Sequence, residues 1–248
     1  MNIRVNKTIL VAASLFAMAT YARAATYNYV DWTAANVAAG TASGVITLPN
    51  LSTVTVNFAA INPNGSPGTL FFAQTNGGTD YYIPSLPYIS AQVQNRPPGT
   101  DMLALVGGQN QTYRVTLSEA IKDPIMAIVS LGQPSVATTY DFDSPFTIVS
   151  QGAGFWGGNA TSLTQLPGDI LRGTEGHGTI QFIGTFSTFS WVVPSPESWH
   201  GFTFGIRTTE AIEPTPVGVP DGGSGLGLMG LALALLSAAR ATILRTRK

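Results

Sequence analysis

The 248-residue chain has no cysteine, only two histidines and few charged residues, which make up 10% of the total. Without cysteine there is no disulfide framework and no acylated N-terminal cysteine, so any exported domain must be stabilised by its core alone. Two histidines cannot supply a three-ligand catalytic zinc site unless carboxylates join them. No Gly-x-Ser-x-Gly or phosphate-loop motif is present. These absences disfavour the commonest enzyme classes.

Positive charge is scarce in the body of the chain. Residues 25–210 carry eleven acidic and five basic side chains, a net charge of −6, whereas the whole chain carries −1. The difference arises because the remaining basic residues lie at the two ends. Nucleic-acid binding needs a basic patch, so we expect no nucleic-acid partner.

The N-terminus has the layout of a secretory signal peptide. Arg4 and Lys7 precede the apolar run 9–19, and the small-x-small segment Ala22-Arg23-Ala24 follows it. This order predicts export and cleavage by signal peptidase after Ala24, so residues 1–24 are assigned to the signal helix. An ordinary buried helix is the alternative, and the polar residues directly after the apolar run disfavour it.

The C-terminus contains a candidate membrane span. Residues 225–239 are uncharged and would extend about 22 Å as a helix, and continuing to Leu244 reaches the length of a bilayer core. We therefore predict a transmembrane helix over 225–244 and a basic cytoplasmic tail over 245–248. The positive-inside rule makes the basic residues an orientation signal; they are Arg240, Arg245, Arg247 and Lys248. A buried helix of a soluble domain is the alternative, but the run has no polar face.

A short motif lies in the linker 211–224, just before this apolar run. Its residues are Val219, Pro220, Asp221, Gly222 and Gly223. Motif, helix and arginines together resemble the PEP-CTERM class of sorting signals, closest to its VPDSG-type variants. The resemblance covers about 30 residues and implies processing by exosortase, a membrane cysteine transpeptidase that removes the helix after export. The motif departs from Val-Pro-Glu-Pro and the basic cluster is spread out, so cleavage and retention as a one-pass anchor both stay open.

The body, residues 25–210, has the pattern of an all-β domain. Alternating or continuously apolar runs predict strands at 53–58, 112–117, 124–129, 179–182, 187–193 and 201–206. Gly, Pro, Asn and Ser clusters separate them, most clearly at 64–68 and 96–99. Only 117–122 is a candidate for a single helical turn. Short strands with such turns predict one β-sandwich, most plausibly of jelly-roll type.

Part of the body also resembles a β-domain of secreted, surface-sorted bacterial proteins. The likeness runs from Tyr113 to Ile206 and is carried by Gly132, Phe142, Phe146-Thr147, the segment 173–178 and the segment 198–205. It implies a fold and a location at the cell surface or outside the cell, and no activity.

No residue pattern in the body specifies catalysis. Glu175 and Glu197 are candidates for a glycosidase pair, which needs two carboxylates about 5–9 Å apart, but nothing local specifies their pairing. His177 is interpreted as a turn residue that bonds backbone groups, and His200 as part of an anchor at the edge of the core. We predict that the protein is not an enzyme.

Two aromatic groups are candidates for glycan stacking. Phe155 and Trp156 lie on a glycine-rich stretch, and Tyr81 and Tyr82 lie among loop residues. An exposed flat ring can stack on a sugar face, which makes envelope polysaccharide a candidate ligand. The alternative is that Phe155 and Trp156 fold back and close one end of the sandwich.

Asp141 and Asp143 are the only hint of a metal. At period two their carboxylates share one sheet face while Phe142 points to the core. They are weak candidates for calcium, which takes six to eight oxygens, and a solvated outer face explains them equally well. No cofactor is otherwise expected.

Low charge with abundant Thr, Ser, Asn and Gly also suits a structural component of an extracellular matrix. This role needs no pocket and no special residue, so it is the first expectation for function. A glycan-binding, lectin-like module is the alternative, and a glycoside-active enzyme is a more distant one.

Overall fold

The computed structural model describes residues 25–207, which form fifteen β-strands and a short 3-10 helix, Leu86–Tyr88. In chain order the strands are β1 Tyr27–Tyr29, β2 Asp31–Asn36, β3 Thr41–Thr47, β4 Thr53–Ile61, β5 Phe72–Gln74, β6 Met102–Leu105, β7 Thr112–Lys122, β8 Ile125–Leu131, β9 Thr138–Phe142, β10 Phe146–Gly152, β11 Leu163–Leu166, β12 Ile170–Gly173, β13 Gly176–Phe182, β14 Thr185–Val192 and β15 His200–Arg207.

The predicted signal helix 1–24, the sorting motif 219–223, the transmembrane helix 225–244 and the basic tail lie outside the described residues. Within 25–207, no helix is long and apolar enough to cross a membrane.

The strands form two antiparallel sheets, which confirms the all-β sandwich-like prediction. One sheet has the order β10-β13-β8-β15-β6-β5, with β1 also paired to β15. The other has the order β11-β12-β9-β14-β7-β4-β3-β2. The main hydrophobic core lies between them and draws side chains from both.

In the eight-stranded sheet, buried and exposed residues alternate as apolar and polar residues do in the sequence. In β4 every second residue is buried, from Val54 through Val56 and Phe58, while Thr55 and Asn57 between them face outward. A strand places successive side chains on opposite faces, so this pattern directs one face to the core and the other to solvent.

The seven-stranded sheet is buried on both faces at its centre. All seven residues of β8 are buried, as its continuous apolar run predicted. Met126 and Ile128 face the main core, whereas Ala127 and Val129 belong to a second cluster on the opposite face. Segment 75–101, here called the cap segment, contributes Tyr82, Tyr88 and Val93 to this second cluster. The cap segment therefore covers the outer face of the sheet.

One local prediction was wrong: residues 117–122 do not form a helical turn. They are the second half of β7, which pairs with β4 on one side and β14 on the other. Leu117 is in register with Val56 of β4, and Ile121 and Lys122 are in register with Phe186 and Thr185 of β14, so tertiary pairing overrides a weak local preference.

Trp191 is the hub of the main core. It is fully buried, and its indole lies between 5.1 and 6.3 Å, centroid to centroid, from six aromatic rings of both sheets: Phe58, Tyr113, Tyr140, Phe142, Phe189 and Phe202. Aromatic pairs at such distances add to the free energy that area burial contributes.

We expect Trp191→Ala to lower the free energy of unfolding by about 3–5 kcal/mol, because it removes the ring and leaves a cavity that six neighbours cannot fill. Urea unfolding followed by circular dichroism measures the loss. Leu51→Ala, at an exposed position, is the control and should change stability by less than about 0.5 kcal/mol. Equal effects of the two substitutions would contradict the assignment of Trp191 as the hub.

Candidate functional site

Four aromatic side chains meet at the surface near one end of the seven-stranded sheet. Tyr81 stacks on Trp156 at 5.3 Å and lies 5.1 Å from Phe155 and 5.3 Å from Trp199, ring centroid to ring centroid. Trp156 in turn lies 4.8 Å from Phe155 and 4.6 Å from Trp199. These four residues are here called the aromatic patch.

The aromatic patch is open to solvent. Trp156 is 47% exposed and Phe155 is 38% exposed, while Tyr81 and Trp199 are half-buried beneath and beside them. Phe155 and Trp156 therefore do not fold back into the sandwich. Clustered exposed aromatic side chains make this patch a candidate binding surface.

The loop 154–158 that carries Phe155 and Trp156 is held by backbone contacts. Gly154 and Gly157 exchange hydrogen bonds between their amides and carbonyls, at 2.6 and 3.1 Å. Gly158 has φ +78°, and a Cβ there would lie 2.2 Å from the carbonyl oxygen of Glu175. Only glycine fits this position, which fixes where the loop presents its rings.

The structure brings together three of the four predicted stacking residues and excludes the fourth. Tyr82 is 1% exposed and packs edge-on against Tyr88 at 5.2 Å in the second cluster. Its ring is unavailable to a ligand because it is buried, while Tyr81, its neighbour in the same turn, is partly exposed. Trp199 was missed as a stacking residue; its sequence neighbourhood indicated only an anchor before the last strand.

A buried polar network lies directly below the aromatic loop. Nδ1 of His177 accepts from the amide of Ser130 at 3.3 Å and lies 3.1 Å from the hydroxyl of Tyr88. Its Nε2 lies 3.2 Å from Oε1 of Glu175, which also accepts from Oγ of Ser130 at 2.5 Å. A Cβ on Gly154 would meet the His177 ring at 2.1 Å. The loop backbone therefore rests on this imidazole.

His177 is not the turn residue that the sequence suggested. It lies within β13 and is fully buried, and its partners are mostly side chains. Since Nδ1 accepts a hydrogen bond, the neutral ring carries its proton on Nε2 and donates it to Glu175.

Burial shifts the pKa values of both members of this pair. Desolvation lowers the pKa of His177 to about 4. Desolvation also raises the pKa of Glu175, with a further rise from the Glu197 carboxylate and an opposing effect of the Ser130 hydrogen bond. Both shifts favour the neutral forms, as expected for groups taken out of water.

A second carboxylate and histidine lie on the other side of the same sheet end. Oε2 of Glu197 accepts from the amide of Gly132 at 3.0 Å and lies 3.1 Å from Nδ1 of His200, a contact too poorly aligned to count as a hydrogen bond. The ring of Tyr140 lies 5.3 Å from the imidazole of His200. Desolvation, and then the charge of Glu197, raises the pKa of Tyr140.

The two glutamates of the hypothesised glycosidase pair thus interact electrostatically across the end of β8. Both are buried, and each accepts a hydrogen bond from that strand end or the turn after it, at Ser130 and Gly132. A glycosidase acid and base must reach a substrate between them, whereas these carboxylates tie strands to loops. The geometry supports a structural role for them.

The two calcium candidates occupy the face that was predicted. Asp141 and Asp143 are exposed while Phe142 between them is buried. Asp143 accepts from the hydroxyls of Ser144 at 2.8 Å and Ser190 at 2.6 Å. Across residues 25–207, no three His, Cys, Asp or Glu side chains converge as metal ligands would. Calcium binding by this pair stays a prediction.

Comparisons with protein-family models, with curated proteins and with solved structures gave no match to this chain.

The low pKa of His177 predicts that the folded protein loses stability in acid. An unfolded histidine binds its proton near pH 6.5 and the folded one at about 4, so the unfolded state binds more protons between these values. The free energy of unfolding should therefore fall as the pH falls from about 6.5 to about 4, by up to about 3 kcal/mol.

His177→Gln removes this titration. We expect the variant to be less stable than wild type at pH 7, because hydrogen bonds to Tyr88 and Glu175 are disturbed, but to lose less stability on acidification. Urea unfolding of both proteins at pH 7, 5.5 and 4.5 measures the free energy of unfolding of each. In the difference between the two proteins, the contributions of titratable groups that both contain cancel. Parallel curves would contradict the pKa assignment.

Proposed function

We propose that this protein is an exported, non-catalytic component of the cell surface or extracellular matrix, whose β-sandwich binds envelope polysaccharide through the aromatic patch. The observation that supports the proposal is the set of half-exposed rings of Phe155 and Trp156, packed on Tyr81 and Trp199. This proposal combines the matrix role expected from composition with the glycan-binding alternative: the protein is a matrix component because it binds polysaccharide.

Sugar rings present apolar C–H faces that stack on aromatic rings, while their hydroxyls need polar partners. Support from Tyr81 and Trp199 orients Trp156, so less conformational entropy is lost when a ligand binds. Polar groups adjoin the patch in sequence. Asp80 precedes Tyr81 and is paired with Arg96 at 2.7 Å, with both side chains 29% exposed. These groups can accept from and donate to sugar hydroxyls.

The jelly-roll form of the sandwich belongs to this proposal. The order of eight strands supports a jelly roll. The order is β6-β15-β8-β13 in one sheet and β7-β14-β9-β12 in the other. This is the order that two interlocked Greek keys produce, and jelly rolls include lectin domains. The order supports a fold compatible with sugar binding, while the aromatic patch supports the binding itself.

Targeting is the second part of the proposal. Residues 1–24 direct export, and the tail, with its resemblance to PEP-CTERM signals, directs an exosortase-type enzyme to Val219-Pro220-Asp221-Gly222-Gly223. The surroundings of Ala25 are compatible with signal peptidase cleavage before it. Ala25 is buried, donates its backbone N–H to the carbonyl of Gln92 at 3.0 Å and accepts from the amide of Gln94 at 2.9 Å. A chain that begins at Ala25 keeps both groups.

Trp156→Ala tests the binding site. We expect it to weaken binding to purified envelope polysaccharide by about tenfold or more, because it removes the most exposed ring of the patch, a loss comparable to a stacked base on an aromatic side chain. Isothermal titration calorimetry measures the affinity, and circular dichroism verifies that the fold is retained.

Leu51→Ala is the matched control, since it removes an exposed apolar side chain from the β3–β4 connection of the eight-stranded sheet. It should leave the affinity unchanged. A folded Trp156→Ala protein that binds polysaccharide as wild type does would remove the support for carbohydrate binding at this patch.

The mass of the mature protein tests the targeting part. We expect protein purified from its own host to begin at Ala25 and to lack the residues after about Pro220, and to lie outside the inner membrane. Intact-mass spectrometry of the cell fractions measures both ends. A membrane-bound species that ends at Lys248 would contradict processing by exosortase. The C-terminal segment would then be a one-pass membrane anchor.

A further inference from the structure

Four asparagines within residues 25–207 are followed two positions later by a serine or threonine, with no proline between them. The triplets are 50–52, 64–66, 110–112 and 159–161. An Asn-x-Ser/Thr triplet is an acceptor sequence for N-linked sugars and is used on surface loops of exported proteins. A three-residue pattern is common in any chain, so the structure must decide which of the four triplets qualify.

Three of the triplets form the same hydrogen-bonded turn. In each, Oδ1 of the asparagine accepts from both the backbone amide and the hydroxyl of the serine or threonine two positions on. The hydroxyl lies 2.7 Å from Oδ1 in all three. The amide nitrogen lies 3.0 Å from Oδ1 of Asn50 and of Asn64, and 2.8 Å from Oδ1 of Asn159. The third residue of each triplet therefore holds the carboxamide in one orientation.

This turn favours the loss of a proton from Nδ2 of the asparagine. Two hydrogen-bond donors on Oδ1 stabilise the negative charge that develops on the carboxamide when Nδ2 is deprotonated. Within residues 25–207, Nδ2 of these three asparagines has no hydrogen-bond partner, and all three side chains are exposed. The nitrogen is therefore free to form a bond to a reactant from solution.

The three turns lie where a modifying enzyme can reach them. Asn50 and Asn64 lie in the connections at the two ends of β4, and Asn159 lies in the connection between β10 and β11. The middle residue of each triplet is exposed, most of all Leu51 at 83%. An enzyme that transfers sugar must enclose the acceptor segment, and exposed connections between strands permit this.

The fourth triplet, at Asn110, has the sequence without the geometry. Gln111 is 1% exposed, and its Oε1 accepts from the amide of Thr69 at 2.8 Å. Thr112 is the first residue of β7 and is in register with Ile61 of β4. Because two of its three residues are held against the sheet, an enzyme cannot enclose this triplet.

Asn36 is the converse case, with a similar turn and no acceptor sequence. Its side chain is exposed, and its Oδ1 accepts from the amide of Ala39 at 3.1 Å. Ala38 stands two positions on, where the other turns have a hydroxyl. The chain thus contains its own controls for the sequence and for the turn.

From this geometry we infer that the protein is N-glycosylated after export at Asn50, Asn64 and Asn159. The donor is a sugar or oligosaccharide whose anomeric carbon carries a lipid-linked pyrophosphate. In the transfer, Nδ2 loses one proton and forms a bond to the anomeric carbon. The bond from that carbon to the phosphate oxygen breaks, and the lipid pyrophosphate leaves with the electron pair. The inference rests on the targeting part of the proposed function, because it requires export.

Peptide mapping of protein purified from its own host tests the inference. We expect mass spectrometry to find one or more sugar residues on each of Asn50, Asn64 and Asn159, and none on Asn110 or Asn36. Sugar on fewer than two of the three turns would overturn the inference, and so would equal modification of either control asparagine.

Thr161→Val tests the role of the hydroxyl. It removes one donor to Oδ1 of Asn159 and keeps the size of the side chain, so we expect complete loss of sugar at Asn159 while Asn50 and Asn64 stay modified. Thr161→Ser is the matched control, because it keeps the hydroxyl and should keep the sugar. Unchanged modification of Asn159 in Thr161→Val would contradict the inference.

The N-terminus of the same sample separates this inference from the targeting proposal. A protein that begins at Ala25 and carries no sugar at the three turns would overturn the inference and leave export standing. A protein that still begins at Met1 would contradict both. A chain that lacks residues 2–24 should stay unmodified, because it does not meet a donor outside the cytoplasm. Its modification to the same extent as wild type would overturn glycosylation after export.

Discussion

The central strands of the seven-stranded sheet are apolar on both faces, and the rest of the structure depends on this constraint. β8 and most of β15 are fully buried, and their inner side chains pack against the other sheet around Trp191. Their outer side chains need a second cover, because exposed apolar surface of this extent would be unfavourable in water. The cap segment 75–101 supplies it.

The arrangement of the aromatic patch follows from the packing of the cap segment on the sheet. Once Tyr82 and Tyr88 are buried against the sheet, Tyr81 points outward and meets Phe155, Trp156 and Trp199. The network of His177, Glu175 and Ser130 fastens the end of β8 to β13, and the aromatic loop rests on it. Buried polar groups with satisfied hydrogen bonds are suited to this task, since leaving one unpaired is costly.

Sequence patterns predicted six of the fifteen strands and part of the candidate site. β4 and β7 alternate at period two and β8 is continuously apolar, so local periodicity identified them. Phe155 and Trp156 were visible as aromatics among glycines, and the alternation of Asp141, Phe142 and Asp143 was read correctly. Local patterns could not separate Tyr81 from Tyr82, because the two are adjacent residues of one turn and only the packing of that turn decides which ring meets the sheet. His177 was misread because its partner Tyr88 lies 89 residues away.

The sequence by itself determined the class of fold and the acidic body without cysteine, since composition and period are local properties. Only the tertiary structure decided that Trp199 joins Tyr81 and Trp156, that Tyr82 is withdrawn, and that Glu175 and Glu197 are buried ties between strands and loops. The physical reason is that antiparallel pairing across two sheets brings together residues far apart in the chain, and their register is set by long-range burial rather than by neighbouring residues.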